Sequence, residues 1–212
     1  MGVFLASLVT MTVMWSPAVR LERTRVCVET HAIADETLWT AWCAEEVRAG
    51  AQMIIVNGAD DDLDQALSLA RQVSRQGLIG VAEPCGDVRA DVVHIQSLGH
   101  CYRWPSVLMG CQVWTYDQAR AAMTAGCSYC VVDVRMGELV KKMAAGDLGI
   151  SWFVNGCETM DDLNRAIEKG ARRAWIRAED DVASFDARLR QVWNEDRADL
   201  SAVFDQFNQE SQ

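Results

Sequence analysis

Positive charge is scarce in this chain of 212 residues: 20 lysines and arginines stand against 30 aspartates and glutamates, a formal net charge of −10. The basic residues look scattered along the sequence rather than striped, so nucleic acid is not an expected partner. No P-loop, no Gly-x-Ser-x-Gly elbow and no His-Glu-x-x-His motif occurs, which removes common signatures of phosphate-binding, hydrolase and metalloprotease chemistry. Thr30-His31-Ala32-Ile33 follows the first expected strand, where a doubly wound nucleotide-binding sheet would carry a glycine-rich turn. Val3–Trp15 is apolar but too short to span a bilayer, and no lysine or arginine precedes it as in a secretory leader. It reads as a lead-in, or as sequence ahead of a start at Met11 or Met14, and no membrane partner is expected. Among eight cysteines, Cys127-x-x-Cys130 is the one close pair, and no second pair stands at zinc-like spacing. The expectation is buried thiols in a reducing cytoplasm.

What the chain does contain is a repeat. Met109–Val134 reads as strand, capped helix, glycine stop and strand. Val107–Val113 is a short apolar run; Thr115 and Gln118 fit a capping box; Ala119, Ala122 and Met123 recur at helical spacing; Gly126 ends the helix. Strand entries rhyme with this unit at Ala49-Gly50-Ala51, Ala125-Gly126-Cys127 and Lys169-Gly170-Ala171, and helix starts rhyme at Asp35, Asp60, Asp117 and Asp161. Short strand-helix-strand units make parallel strands with right-handed crossovers.

Taken in order, strands are expected at Arg25–Thr30, Met53–Val56, Leu78–Ala82, Val92–Ile95, Val107–Val113, Tyr129–Val134, Trp152–Val154 and Ala174–Arg177. Helices fall between most of them, at about 35–49, 62–76, 137–145 and 161–169 besides the one after Thr115. Only Glu83–Arg89 separates strand three from strand four, too little for an ordinary helix. Eight strands alternating with helices predict an α/β protein, a (β/α)8 TIM barrel with a shortened third crossover. The expected organisation is an N-terminal extension over 1–24, a barrel over 25–180, and a C-terminal helix with a polar tail over 181–212.

Four stretches carry a family resemblance. Ala90-Asp91-Val92-Val93-His94-Ile95 looks like Ala-Asp-Gly-Val-His-Leu, and Leu108–Thr115 is similar to Ile-Ile-Gly-x-Ser-x-His-Thr. Ala125–Cys130 follows Ala-Gly-Ala-Asp-Tyr-Val, and Phe153–Cys157 stands where Ala-Ile-Gly-Gly would. These are motifs of the thiamine-phosphate synthase and thiazole tautomerase superfamily of phosphate-binding barrels, which the chain resembles over roughly residues 25 to 180. The resemblance implies a link to thiamine biosynthesis and a site at the strand C-termini. It implies Mg²⁺ as cofactor if synthase activity is retained, and a transferase or a related phosphate-barrel isomerase if the protein is active. The family's chemistry is poorly matched, however. Its Gln-x-Arg-x-Lys after strand two falls on Ile55, Asn57 and Ala59, and Glu83 is the nearest carboxylate after strand three. Its metal-binding Asp falls near Ser97 or Gly99, its strand-five Ser on Gln112, the tautomerase His on Trp114, and its phosphate-loop Ser on Ala178. Ionising a pyrimidine pyrophosphate requires cations and metal around the departing charge, so the usual synthase reaction is expected to be lost or altered.

The candidate catalytic residues are Asp133, Arg135, His94 and Gln112; an ion pair across the rim is the plain alternative for Asp133 and Arg135. Candidate phosphate-binding residues are Asn155, Gly156, Cys157, Arg177, Ala178 and Lys141, with Glu158 and Glu179 close enough to repel an anion. No metal site is assigned, although His100 with Cys85, Cys101 and Cys157 lies just past strand ends, as does His31. Trp114 and Trp152 are candidates to fill the mouth. The expected partner is a small phosphorylated ligand, with room for a homo-oligomer. The alternative is a non-catalytic barrel kept as a binding, regulatory or oligomerisation module.

Overall fold

Strands covered on both faces read as unbroken apolar runs, because helices bury the outer face and the barrel interior the inner one. The computed structural model describes residues 16–57, 63–84, 88–98, 107–146 and 148–210, with side chains through 198. Eight strands, β1 (Val26–His31), β2 (Met53–Asn57), β3 (Leu78–Ala82), β4 (Val92–Ile95), β5 (Leu108–Val113), β6 (Tyr129–Asp133), β7 (Ser151–Asn155) and β8 (Ala174–Arg177), pair in sequence order into a closed parallel barrel. Around them run α2 (Glu36–Ala49), α3 (Leu63–Val73), α4 (Tyr116–Thr124), α5 (Gly137–Ala144), α6 (Met160–Glu168) and α7 (Val182–Glu210), preceded by α1 (Pro17–Glu22). This is the expected (β/α)8 barrel. Among the described residues no helix lies between β3 and β4, and none is long and apolar enough to cross a membrane.

Local chemistry accounts for the boundaries. The Thr115–Gln118 capping box forms, and α6 starts on a second one between Thr159 and Asp162; each satisfies orphan N–H groups at a helix start. Gly126 and Gly170 end α4 and α6 at φ of 90° and 101°, a backbone that side chains with a Cβ resist. The helix α1 is outside the expectation. Ser16 caps it by accepting from the Val19 N–H, a proline opens it, and Leu21 is 2% exposed in one cluster with Cys27, Met53 and Leu78. The segment expected to be an extension therefore supplies the floor of the barrel from residue 17 onward.

The interior is filled by rings and made possible by glycines. Tyr129, Phe153 and Trp175 point inward, Tyr129 edge-on to Phe153 at 5.6 Å and Phe153 edge-on to Trp175 at 6.3 Å, a geometry aromatic quadrupoles favour. A Cβ on Gly110 would lie 2.0 Å from Tyr129 Cζ, and one on Gly80 would lie 2.4 Å from Ile55 Cδ1. Large and small residues thus alternate across the barrel. The cysteines are packing residues: all six described ones are buried, with Cys127 Sγ 3.9 Å from Cys111 Sγ.

The entries to β1 and β2 are tied to α7 at the strand N-termini. Gln52 Oε1 accepts from the N–H groups of Arg25 and Val26 at 2.9 and 3.0 Å, while its Nε2 donates to Gly50 O and to Asp186 Oδ1. Asp186, 1% exposed on α7, also accepts from Arg25 and Arg190. The reading of the cations as scattered needs correction here. Arg20, Arg23 and Arg25 from α1 and the entry to β1, Arg48 and Arg75 from the ends of α2 and α3, and Arg190 and Arg197 from α7 line one cavity of about 1020 Å³. Arg20, Arg23 and Arg25 are close in sequence, but the other four reach them from α2, α3 and α7, elements that meet at the same pole.

Gly110→Ala should destabilise the fold by about 1–3 kcal/mol or more, the cost of overpacking a filled core, read as a lower urea midpoint. Combining it with Tyr129→Leu should recover part of the loss. Unchanged stability in the single variant would show that Tyr129 does not occupy the space beside Gly110.

Candidate functional site

The C-terminal ends of the strands open on a cavity of about 910 Å³, within the usual range for small-molecule sites. Alternation along each strand decides which side chains face it: Glu29 of β1, Asn57 of β2, His94 of β4, Gln112 of β5, Asp133 of β6, Asn155 of β7, and Trp175 and Arg177 of β8. Trp175 is 3% exposed and forms part of the floor. Its Nε1 donates to Glu29 Oε2 at 2.5 Å, and Asn57 Nδ2 donates to Glu29 Oε1 at 2.7 Å. Glu29 is thereby occupied on both oxygens.

Asp133, His94 and Glu83 are similarly engaged by the protein. Asp133 accepts from the Arg135 N–H at 2.8 Å and from Arg135 Nε at 2.9 and 3.1 Å, and the guanidinium Nη2 also reaches it. Arg135 holds the Asp133 carboxyl below its ordinary range, so it is an ionised, engaged carboxylate and a poor proton donor. The His94 ring lies 4.5 Å from the Trp175 ring, with Nδ1 3.5 Å from Tyr129 Oη. Burial lowers its pKa to about 3; near neutrality it is an uncharged imidazole of low basicity. Glu83 sits just past β3 at φ 48°, unusual for a residue with a side chain, and is held there by Glu83 N–H to His94 O at 2.8 Å and by its carboxylate accepting from Gln96 N–H.

Two groups stand apart from this pattern. Asn155 Nδ2 donates to Gln112 Oε1 at 3.2 Å, but Gln112 Nε2 and Asn155 Oδ1 are buried without a partner. Amide orientation is assigned from hydrogen bonding, yet turning both amides over still leaves one donor and one acceptor unused. Leaving such groups unpaired costs about 1–3 kcal/mol each.

The backbone donors after β8 are already taken. Arg177 N–H donates to Asp180 Oδ2 at 2.7 Å and Ala178 N–H to Glu29 O at 3.1 Å. A carboxylate thus stands where the resemblance would place a phosphate. Among the sequence candidates, Asp133, Arg135, His94, Gln112, Asn155, Gly156 and Arg177 line the cavity; Lys141, Cys157 and Ala178 do not. Lys141 pairs with Glu138 on the exposed face of α5, and Cys157 is 3% exposed within the helix-side core, where burial pushes its thiol up to about 12. Trp114 is at the rim and half exposed, whereas Trp152 packs on the helix side. His31 does not line the cavity, and His100, Cys85 and Cys101 lie outside the described residues.

Sequence reasoning missed Glu29 and Trp175. Their signal was strand parity: Trp175 lies two residues before Arg177, so both must share the inner face. A divalent cation fits this mouth badly. Mg²⁺ needs several uncommitted oxygens, and Glu29, Glu83 and Asp133 all bond to protein donors; among the described residues no three His, Cys, Asp or Glu side chains are grouped to hold a metal.

A closed eight-stranded parallel barrel with its cavity at the strand C-termini defines a TIM-barrel protein. No protein-family model and no curated protein matches the chain. Solved structures do. A thiamine phosphate pyrophosphorylase from Pyrococcus furiosus is similar with a TM-score of 0.64 at 17% identity, over 84% of this chain and 98% of that one. The homocysteine methyltransferase MmuM from Escherichia coli matches with a TM-score of 0.56 at 13% identity, over 82% and 100% of the two chains. A KDPG aldolase from Legionella pneumophila gives 0.54 at 12% identity, over 76% and 86%. At these identities the likeness shows the fold alone: the chain is a TIM barrel, distantly similar to a thiamine phosphate pyrophosphorylase among other barrels.

Because His94 stays neutral in the native protein to about pH 3 while it titrates near 6.5 in the unfolded chain, its contribution is complete above about pH 6.5 and is lost as pH falls. Between those values His94 should add up to about 1.4 kcal/mol per pH unit to the slope of stability. Urea unfolding from pH 6.5 to 4 should be less steeply pH-dependent in His94→Gln than in the parent. Equal slopes would place the imidazole in contact with water.

Proposed function

We propose that this protein is a divergent barrel of the thiamine-phosphate synthase type that holds a small polar ring compound at its mouth, with the usual synthase reaction lost. The observation that carries the reading is the unpartnered donor and acceptor of Gln112 and Asn155, buried in a cavity that also presents the Trp114 and Trp175 indoles. An aminopyrimidine has a donor–acceptor edge and a flat apolar face, so it could use both features. The reaction is the weaker link. Catalysis of pyrophosphate departure needs preorganised positive charge, and the mouth offers Arg135, tied to Asp133, and Arg177, against Glu29, Glu83, Asp133, Glu158 and Asp162. The buried cysteines, with no disulfide among the described residues, suit a reducing, cytoplasmic setting.

A second reading, a phosphorylated ligand, draws on one observation: the Arg177 guanidinium lines the cavity and makes no ion pair among the described residues. Calorimetry with hydroxymethylpyrimidine, thiamine and thiamine phosphate separates the two. Under the first, the unphosphorylated compounds bind and Gln112→Ala weakens them by about tenfold, the worth of one good hydrogen bond at a buried site. Tighter binding of thiamine phosphate, lost in Arg177→Gln, would favour the second. Pyrophosphate release from hydroxymethylpyrimidine pyrophosphate and thiazole phosphate with Mg²⁺ should be absent; turnover would overturn the loss of synthase chemistry. If none of the compounds binds, the barrel becomes a binding, regulatory or oligomerisation module.

A further inference from the structure

We propose that the arginine-lined cavity at the N-terminal pole of the barrel is a second ligand site, for a small anion carrying two or more phosphate-like groups. It is independent of the mouth, at the opposite ends of the strands. Its seven cations are all arginines, and no lining residue is acidic; the three lysines, Lys141, Lys142 and Lys169, lie elsewhere. Guanidinium groups offer forked donors that match phosphate oxygens two at a time.

Part of the ring is fixed in advance. Arg20 donates to Gly77 O at 2.6 Å and to Asp91 at 3.1 Å, and Asp186 anchors Arg25 and Arg190. Arg25 also stacks 5.5 Å above Trp193. Arg20 Nε remains buried without a partner. Arg48, Arg75 and Arg197 are exposed and make no ion pair among the described residues. Asp91 and Asp186 offset part of this charge; the remaining cations repel one another, and a multivalent anion relieves the repulsion.

Size and surroundings narrow the ligand. A cavity of about 1020 Å³ is at the upper end for small molecules. A long polyanion would run past the patch onto a surface that must carry the remaining negative charge of a −10 protein, where it is repelled. Concavity and charge distribution therefore favour a compact polyphosphate over a duplex.

The test is calorimetry on the full chain with sodium tripolyphosphate at fixed ionic strength, beside orthophosphate and a short DNA duplex. Tripolyphosphate should bind at one site, more tightly than orthophosphate. The double variant Arg48→Gln with Arg75→Gln should weaken it at least tenfold without lowering the melting temperature, since neither side chain has an ion-pair partner among the described residues. Arg177→Gln at the mouth should leave this binding unchanged. Undiminished binding in the double variant, loss in Arg177→Gln, or no saturable binding at millimolar tripolyphosphate would each overturn the proposal. So would tighter binding of the duplex, which would make the pole a nucleic-acid surface.

Discussion

A small parallel barrel closes only if its interior is filled, and here the filling is aromatic. Tyr129 takes the space that Gly110 vacates, Phe153 meets it edge-on, and Trp175 completes the stack toward the mouth. Each strand's inner residues are set by parity once one is fixed, so this plug also determines what stands on the rim. Trp175 places Glu29 through its indole N–H, Glu29 places Asn57, and the same indole covers the His94 ring. The chemistry at the mouth is a consequence of how the core is packed.

That consequence is a site of satisfied groups. Glu29, Glu83 and Asp133, the carboxylates at the strand ends, are hydrogen-bonded to the protein, the imidazole is held neutral, and Asp180 takes the backbone donor at the end of β8. Groups already engaged in the ground state have little left to offer a transition state, because only interactions that strengthen on the way to it lower the barrier. Gln112 and Asn155, with the Arg177 guanidinium that makes no ion pair among the described residues, are exceptions, and these groups recognise a ligand rather than transfer protons. The residues thus lean toward binding over catalysis on the same barrel that elsewhere supports many reactions.

Most of the fold was legible because its signals are local. Buried strands appear as apolar runs, Thr115 and Gln118 announce a helix start, Gly126 and Gly170 announce helix ends, and the interval between Ala82 and Val92 leaves no room for an ordinary helix. The site was legible where it depends on strand ends, hence His94, Gln112, Asp133, Asn155 and Arg177. It was not legible where it depends on partners. Nothing near Arg135 shows that its guanidinium closes on Asp133 rather than on a ligand, and nothing near Asp180 shows that it bonds to Arg177 N–H. The six residues of α1 escaped notice because a helix that short gains its stability from Leu21 packing under the barrel, not from its own periodicity.

The arginines show the same limit from the other side. Three of them lie together at positions 20 to 25, but Arg48, Arg75, Arg190 and Arg197 are spread along the sequence, and the barrel brings α1, α2, α3 and α7 together at one pole where they meet. Closure of the fold does not ask for all of these: the N-terminal face of such barrels usually serves stability, and Asp186, Gln52 and Arg25 already tie the strand entries to α7 there. Arg48, Arg75 and Arg197 add repulsion to a face that is already closed. Charges that work against the fold and are not neutralised by it are best explained by something that binds them, which makes the pole opposite the mouth the more informative half of this molecule.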